Sequence, residues 1–220
     1  MNLSDQFREL SPKNIVILRA LQLGDLLCSV PAFRALRAAY PNVIITLVGL
    51  PWAKEFVQRF NHYLDYLIEL PGFPGFPETS PRVREFPGFL HAVQQKEFDL
   101  AIQMHGSGNI SNSLVALFGA KRSAGFYLPD QFVPEEGSFM PYPVHEPEVI
   151  RHLQLMEHIG IPSQGSSLEF PITDLEWKAH QNLLSDHRLA PHPYVCVHPG
   201  ARASERRWSP EKYAAVADGL

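Results

Sequence analysis

The chain is constrained most by NIVILRALQLGDLLCSVPAFRALRAAY, residues 14–40, where a strand, a tight turn and a helix follow one another without a spacer. Residues 15–18 form an unbroken apolar run, the pattern of a strand buried on both faces of a parallel sheet. Ala32, Phe33, Leu36 and Ala39 then recur at helical spacing. A unit of this kind commits the chain to α/β architecture, because a helix that leaves such a strand crosses back to start a parallel neighbour. The period changes at Gly24-Asp25, where the carboxyl end of the strand passes into the helix, and open α/β sheets hold their ligands there. Asp25 is therefore a candidate functional acid. Its commoner local role is that of a helix cap. Pro31 is best tolerated in a first turn, so the regular helix is expected to begin near Ser29, with Ser29 as cap and Asp25 left in the turn before it.

The alternation continues. Residues 43–48 and 66–70 read as strands and 53–60 as a helix between them, followed after a break by a helix at 90–96 and a buried strand at 100–104. The break, 71–89, contains Pro-Gly-Phe three times and can be neither a continuous helix nor a central strand. Its phenylalanines are expected to pack down on the domain, with an acceptor groove or a membrane surface as their other roles. His105-Gly106-Ser107-Gly108-Asn109 is a second strand end rich in small polar residues, a composition that lets a ligand approach the backbone. This makes His105 and Gly106 contact candidates. Residues 120–126 read as a short strand, 127–147 as loop and 149–159 as a helix that Gly160 and Pro162 terminate.

An amphipathic stretch at 175–184 leads to a break at 190–193, and beyond it the pattern restarts with a strand at 194–197, the loop HPGARASERRW and a helix from Pro210. Gly200, small residues and three arginines between a strand and a helix suit an anion, with amides and guanidinium groups gathering phosphate oxygens. With 220 residues, 45% hydrophobic and 19% charged, the chain has the composition of a soluble globular protein, long enough for one domain and part of another. The expected division is 1–173, a connecting helix and linker at 174–193, and 194–220 as a second domain cut off after its first βα unit. A formal charge of -4 supplies no electrostatic case for nucleic acid. No apolar run approaches a membrane span, and the amino terminus has no secretory h-region. Two cysteines, Cys28 and Cys196, indicate no disulfide framework and a reducing cytoplasm. His145, His152 and His158 have no recognised metal spacing.

Taken together, Ile17-Leu18-Arg19, Leu23-Gly24-Asp25, the run from Pro31 to Arg37, Gly119-Ala120-Lys121-Arg122 with Gly125-Phe126, and His198-Pro199-Gly200-Ala201 with Arg206-Arg207-Trp208 resemble the heptosyltransferase family of glycosyltransferases. The resemblance covers nearly the whole chain. It implies a GT-B architecture: two Rossmann-like domains, each a parallel sheet with flanking helices, acceptor on the first and nucleotide-sugar on the second. No cofactor and no metal are implied.

By position, Asp25 matches the family's proposed general base, which reverses the local preference for a cap, and Gly24, His105 and Gly106 fall on the acceptor side. Arg206 falls where a basic residue, commonly Lys, contacts the donor diphosphate, with Ser204, Gly200 and Ala201 in the same loop. The implied partners are a nucleotide-sugar, ADP-heptose in the best-known members, and a lipid-linked glycan. The implied place is the cytoplasm, with peripheral contact at the inner face of the plasma membrane. Two other readings stay open: a saccharide-binding fragment without catalysis, and a GT-B-like enzyme acting on another nucleotide-sugar, such as an epimerase.

Overall fold

The computed structural model describes residues 11–187, 194–201 and 204–220, and the chain divides between Pro171 and Ile172 into two compact units. The first unit is built on six parallel strands: β1 (Asn14–Leu18), β2 (Ile44–Gly49), β3 (Tyr66–Glu69), β4 (Leu100–Gln103), β5 (Arg122–Tyr127) and β6 (Phe139–Pro141). Their spatial order is β3-β2-β1-β4-β5-β6. The chain thus builds outward from β1 to β3, then returns to the other side of β1 and builds outward again to β6.

The helices of this unit are α1 (Leu23–Leu27), α2 (Val30–Ala39), α3 (Ala53–Arg59), α4 (Phe86–Gln94), α5 (Ser111–Ala116) and α6 (Glu148–His158). Alternation along β1 and β2 feeds two cores. Ile15, Ile17, Ile45 and Leu47 meet Phe33 and Leu36 of α2, Phe56 of α3 and Leu155 and Met156 of α6. Val16, Leu18 and Val48 meet Phe89 and Val93 of α4 and Leu114 and Val115 of α5. Each such side chain contributes about 1.5–3 kcal/mol when fully buried. The run at 15–18 is fully buried throughout, so β1 supplies side chains to both cores at once.

Three expectations are corrected. Helix α4 begins at Phe86 rather than at 90, because Pro87 occupies its first turn, where the missing N–H is not needed. Residues 139–141, expected as loop, supply β6, pairing Gly125 with Phe139 and Tyr127 with Pro141 at the sheet's edge, where a proline is tolerated. The run 194–197 forms no strand: no other strand is described in the second unit, and a strand requires a neighbour to satisfy its backbone.

The phenylalanines of 71–89 do pack inward. Phe76 and Phe89 are buried, while Phe73 and Phe86 lie against the same core, with Phe73 edge-on to Phe76 at 5.5 Å. In the second unit, α7 (Asp174–Asp186) starts at a capping box: the Thr173 hydroxyl accepts the Glu176 N–H at 3.2 Å and the Glu176 carboxylate accepts the Thr173 N–H at 2.8 Å. A helix α8 (Pro210–Asp218) follows, and neither α7 nor α8 buries a side chain.

Candidate functional site

β1 and β4 lie side by side, yet the chain leaves them in opposite directions, and that switch point is where a doubly wound sheet opens a crevice. The segment after β1 runs through Ala20 into the short helix α1, which carries Gly24 and Asp25, and the loop after β4 carries His105 and Gly106. A direct bond joins the two: the Ala20 N–H donates to His105 Nδ1 at 3.2 Å.

Asp25 is half-buried at the third position of α1, and its Oδ2 accepts the Gln22 N–H at 3.1 Å. It is neither the N-cap nor a residue of an irregular turn, since a short helix precedes the main one. Ser29 does stand at the N-cap position of α2, but its hydroxyl donates to the Asp25 carbonyl at 3.1 Å instead of capping. Gly24 is exposed, and a Cβ there would meet nothing within 4 Å, so the protein's own packing does not require a glycine.

Arg19 follows directly on the apolar run of β1 and is fully buried. Its Nε and Nη2 both donate to the Asp25 carbonyl, at 3.0 and 2.7 Å, its Nη1 donates to the Met104 carbonyl, and Nη2 also meets Glu148 Oε1 at 3.0 Å. Burial lowers the guanidinium's pKa, opposed by the charges of Glu148 and Asp25. An arginine stays protonated through such a shift. Glu148, the first residue of α6, has Arg151 Nη1 at 2.7 Å on its other oxygen, Oε2, while His152 Nε2 lies 3.3 Å from the Oε1 that meets Arg19. Contact with His152, ahead of Arg19 in weight, holds the Glu148 carboxyl well below the usual carboxylate range against the opposing effect of burial. Sequence reasoning placed Arg19 in a family pattern without a role and missed Glu148 altogether. A charge set directly behind a buried strand is the signal that marks Arg19; Glu148 lies 129 residues away and has no local signal.

The His105 loop is held as firmly. The Gln103 amide donates to the His105 carbonyl and to Ser111 Oγ, both at 2.6 Å, and its oxygen accepts the Phe126 N–H at 3.1 Å. Phe76 covers the His105 ring, with centroids 4.0 Å apart and planes 9° from parallel, and Nε2 faces Glu78 Oε2 at 3.9 Å. Burial, with Arg19 second, lowers the His105 pKa to about 4; burial, again with Arg19 second, does the same to His152.

These shifts fix a pH dependence of stability. Unfolded, both imidazoles take up protons near 6.5; folded, they do so near 4. Between those values the unfolded state binds more protons, so stability rises with pH and is lost on acidification from 6.5 toward 4. Glu148 adds to the loss below about pH 4.3, where the unfolded carboxylate protonates first. The urea midpoint should fall on acidification, as the unfolding free energy drops with a slope approaching about 1.4 kcal/mol per pH unit for each histidine. His105→Gln should remove about half of it. A profile that is flat from pH 6.5 to 4.5 would mean that both rings are charged in the fold.

The remaining candidates lie in the second unit. Gly200 and Ala201 precede a single 3-10 turn, Ser204–Arg206, and Arg206 is exposed. Arg207 closes this loop by donating from Nε to the Ala201 carbonyl. Arg202 falls outside the described residues. Among the described residues no group of three or more His, Cys, Asp or Glu side chains is placed to hold a metal, and no helix is long and apolar enough to cross a membrane.

A six-stranded parallel sheet in the order 3-2-1-4-5-6, with two polar segments tied together at its switch point, defines a Rossmann-like α/β protein. The chain belongs to glycosyltransferase family 9 (heptosyltransferase), whose family model matches residues 88–220. Similar solved structures include a glycosyl transferase family 9 protein from Veillonella parvula, at 22% identity and a TM-score of 0.68, covering 94% of this chain and 59% of that one. The E. coli ADP-heptose LPS heptosyltransferase II is 19% identical with a TM-score of 0.64, and covers 94% of this chain and 61% of that one. E. coli heptosyltransferase WaaC, solved with ADP, is 16% identical with a TM-score of 0.63, and covers 94% and 63%. The chain thus spans 59–63% of the length of these three relatives. No curated protein matched it.

Proposed function

We propose that this chain belongs to an inverting glycosyltransferase that moves a sugar, heptose from ADP-heptose, onto a lipid-linked glycan acceptor of the lipopolysaccharide-core type. The observation that most supports the reading is the convergence of the Asp25 turn and the His105 loop on the switch point, tied by the bond from Ala20 to His105. The family and the ADP bound to the WaaC relative supply the choice of nucleotide. The first 173 residues would hold the acceptor, 174–193 would connect, and 194–220 would begin the nucleotide-sugar domain.

In this mechanism the Asp25 carboxylate takes the proton of the acceptor hydroxyl as that oxygen attacks the anomeric carbon, and the bond to the diphosphate breaks in the same step. The departing diphosphate, already an anion, gains one further negative charge as that bond breaks, to be met by Arg206, the Ser204 hydroxyl and the backbone at Gly200 and Ala201. The open space beside Gly24 would let the acceptor approach the main chain next to the base. No step requires a metal. The protein would work in the cytoplasm, peripherally at the inner membrane face. Phe73, Phe76, Phe86 and Phe89 are taken up by core packing, so membrane contact would fall to other residues.

The test is a panel of nucleotide-sugars offered to the full-length protein with a de-acylated inner-core saccharide, with products read by mass spectrometry and anomeric configuration by NMR. ADP-heptose should give the heptosylated product with inverted configuration. Binding of the saccharide without transfer from any donor would overturn the transferase reading in favour of a binding protein, and an altered free nucleotide-sugar would overturn it in favour of an epimerase.

A further inference from the structure

We propose that Arg19 is a positioning residue for Asp25, and that Glu148 holds Arg19 in that task; the inference rests on the reading of Asp25 as the base. Four pieces of chain meet on the one guanidinium: the end of β1 that bears it, the Asp25 carbonyl with two donors upon it, the Met104 carbonyl at the end of β4, and Glu148 at the start of α6. It thereby fixes the main chain of the residue whose carboxylate is to meet the acceptor. Two bonds from a rigid planar fork to a single carbonyl set its direction as well as its distance, which a flexible ammonium group cannot do.

Stability alone is a poor reason for this arrangement. Taking a guanidinium wholly out of water carries a large desolvation penalty, and apolar residues of similar volume often serve a core as well or better. The buried charge sits at the mouth of the sheet, directly under the base turn, and not among the apolar layers of the two cores. Glu148 completes the device from the far side. Its Oε1 takes Arg19 while Arg151 holds Oε2, so the carboxylate is itself anchored, and α6 packs against the Asp25 side of the sheet through Leu155 and Met156. A group that acts through Asp25 should lose its influence when Asp25 loses its proton-accepting oxygen.

The test is a double-mutant cycle in the full-length protein, with the donor of the panel that turns over fastest. Arg19→Lys keeps the charge and loses the fork. It should lower kcat by roughly 10- to 100-fold, the range expected when a reacting group is displaced by about 1 Å, while the acceptor KM stays within about twofold. Combined with Asp25→Asn, it should lower the residual rate no further, because residues that act as one unit are non-additive. Glu148→Gln keeps an acceptor oxygen for Arg19 and removes the charge. It should give the same non-additive pattern with a smaller single loss, and it decides the matter if Arg19→Lys does not fold. Losses that multiply with Asp25→Asn, or an unchanged kcat in both single variants, would assign Arg19 to structure alone and overturn the proposal. Near-normal turnover of Asp25→Asn by itself is a separate outcome, which removes the base and this inference with it.

Discussion

With Asp25 as the proposed base, Asp25→Asn in the full-length protein should abolish most sugar transfer, by roughly 10²- to 10⁴-fold in turnover, while the melting temperature and donor affinity stay nearly unchanged. The substitution is chosen because the structural work of Asp25 survives it. The Gln22 N–H reaches Oδ2 at 3.1 Å, and an asparagine offers an amide oxygen at almost the same place. The bonds from Arg19 and Ser29 go to the Asp25 main-chain carbonyl, which the substitution does not touch. What disappears is the capacity to accept a proton from a hydroxyl in the transition state. Stopped transfer with an intact fold is therefore the mark of a base, and unimpaired transfer would leave the carboxylate nothing but its bond to Gln22. The measurement is steady-state kinetics of the pure variant beside its thermal unfolding curve.

The second large effect is on stability, and it separates two glycines of one loop. Gly108→Ala should destabilise the first unit by about 3 kcal/mol or more, whereas Gly106→Ala should cost only about 1 kcal/mol. Both have positive φ, +94° at Gly108 and +63° at Gly106. At Gly108 a Cβ would lie 2.1 Å from the Phe126 carbonyl and within 3 Å of the Asn112 amide, which itself donates to that carbonyl at 3.0 Å. The clash is with backbone, so β5 or the start of α5 must move. At Gly106 a Cβ meets nothing within 4 Å, and only the left-handed conformation resists the change. Urea unfolding of the two variants provides the check; equal losses would mean that the loop relaxes around Gly108. One of the two glycines that suggested a ligand approaching the backbone is thus explained by the protein's own Phe126, and the open space falls at Gly106.

Much of this was legible locally. The four apolar residues at 15–18 sufficed for a strand buried on both faces, because no other placement satisfies an apolar run that short between a polar start and a polar turn. The Leu23-Gly24-Asp25 turn and the loop after β4 were recognisable as strand ends, and the alternation of periods announced a parallel sheet. Local reasoning was least secure where one residue type has two meanings. Pro87 read as a break and proved to be the start of α4, since a proline ends a helix from within and begins one from its first turn. The prolines of 127–147 likewise concealed β6, an edge strand that tolerates them.

The amino-acid sequence by itself determined the class of fold, the family pattern and the acid at the first strand's end, because each is assembled from short motifs, every one of them local to a single turn, strand or helix, that are read one after another along the chain. Only the tertiary structure decided that β4 returns beside β1, that His105 presents a covered ring and a bonded Nδ1, and that Arg19 and Glu148, 129 positions apart, share one ion pair beneath Asp25. The reason is physical. Periodicity and turn chemistry act over a few residues, whereas the partner of a buried charge is chosen by the packing of whole elements, and nothing near either residue in the chain records it.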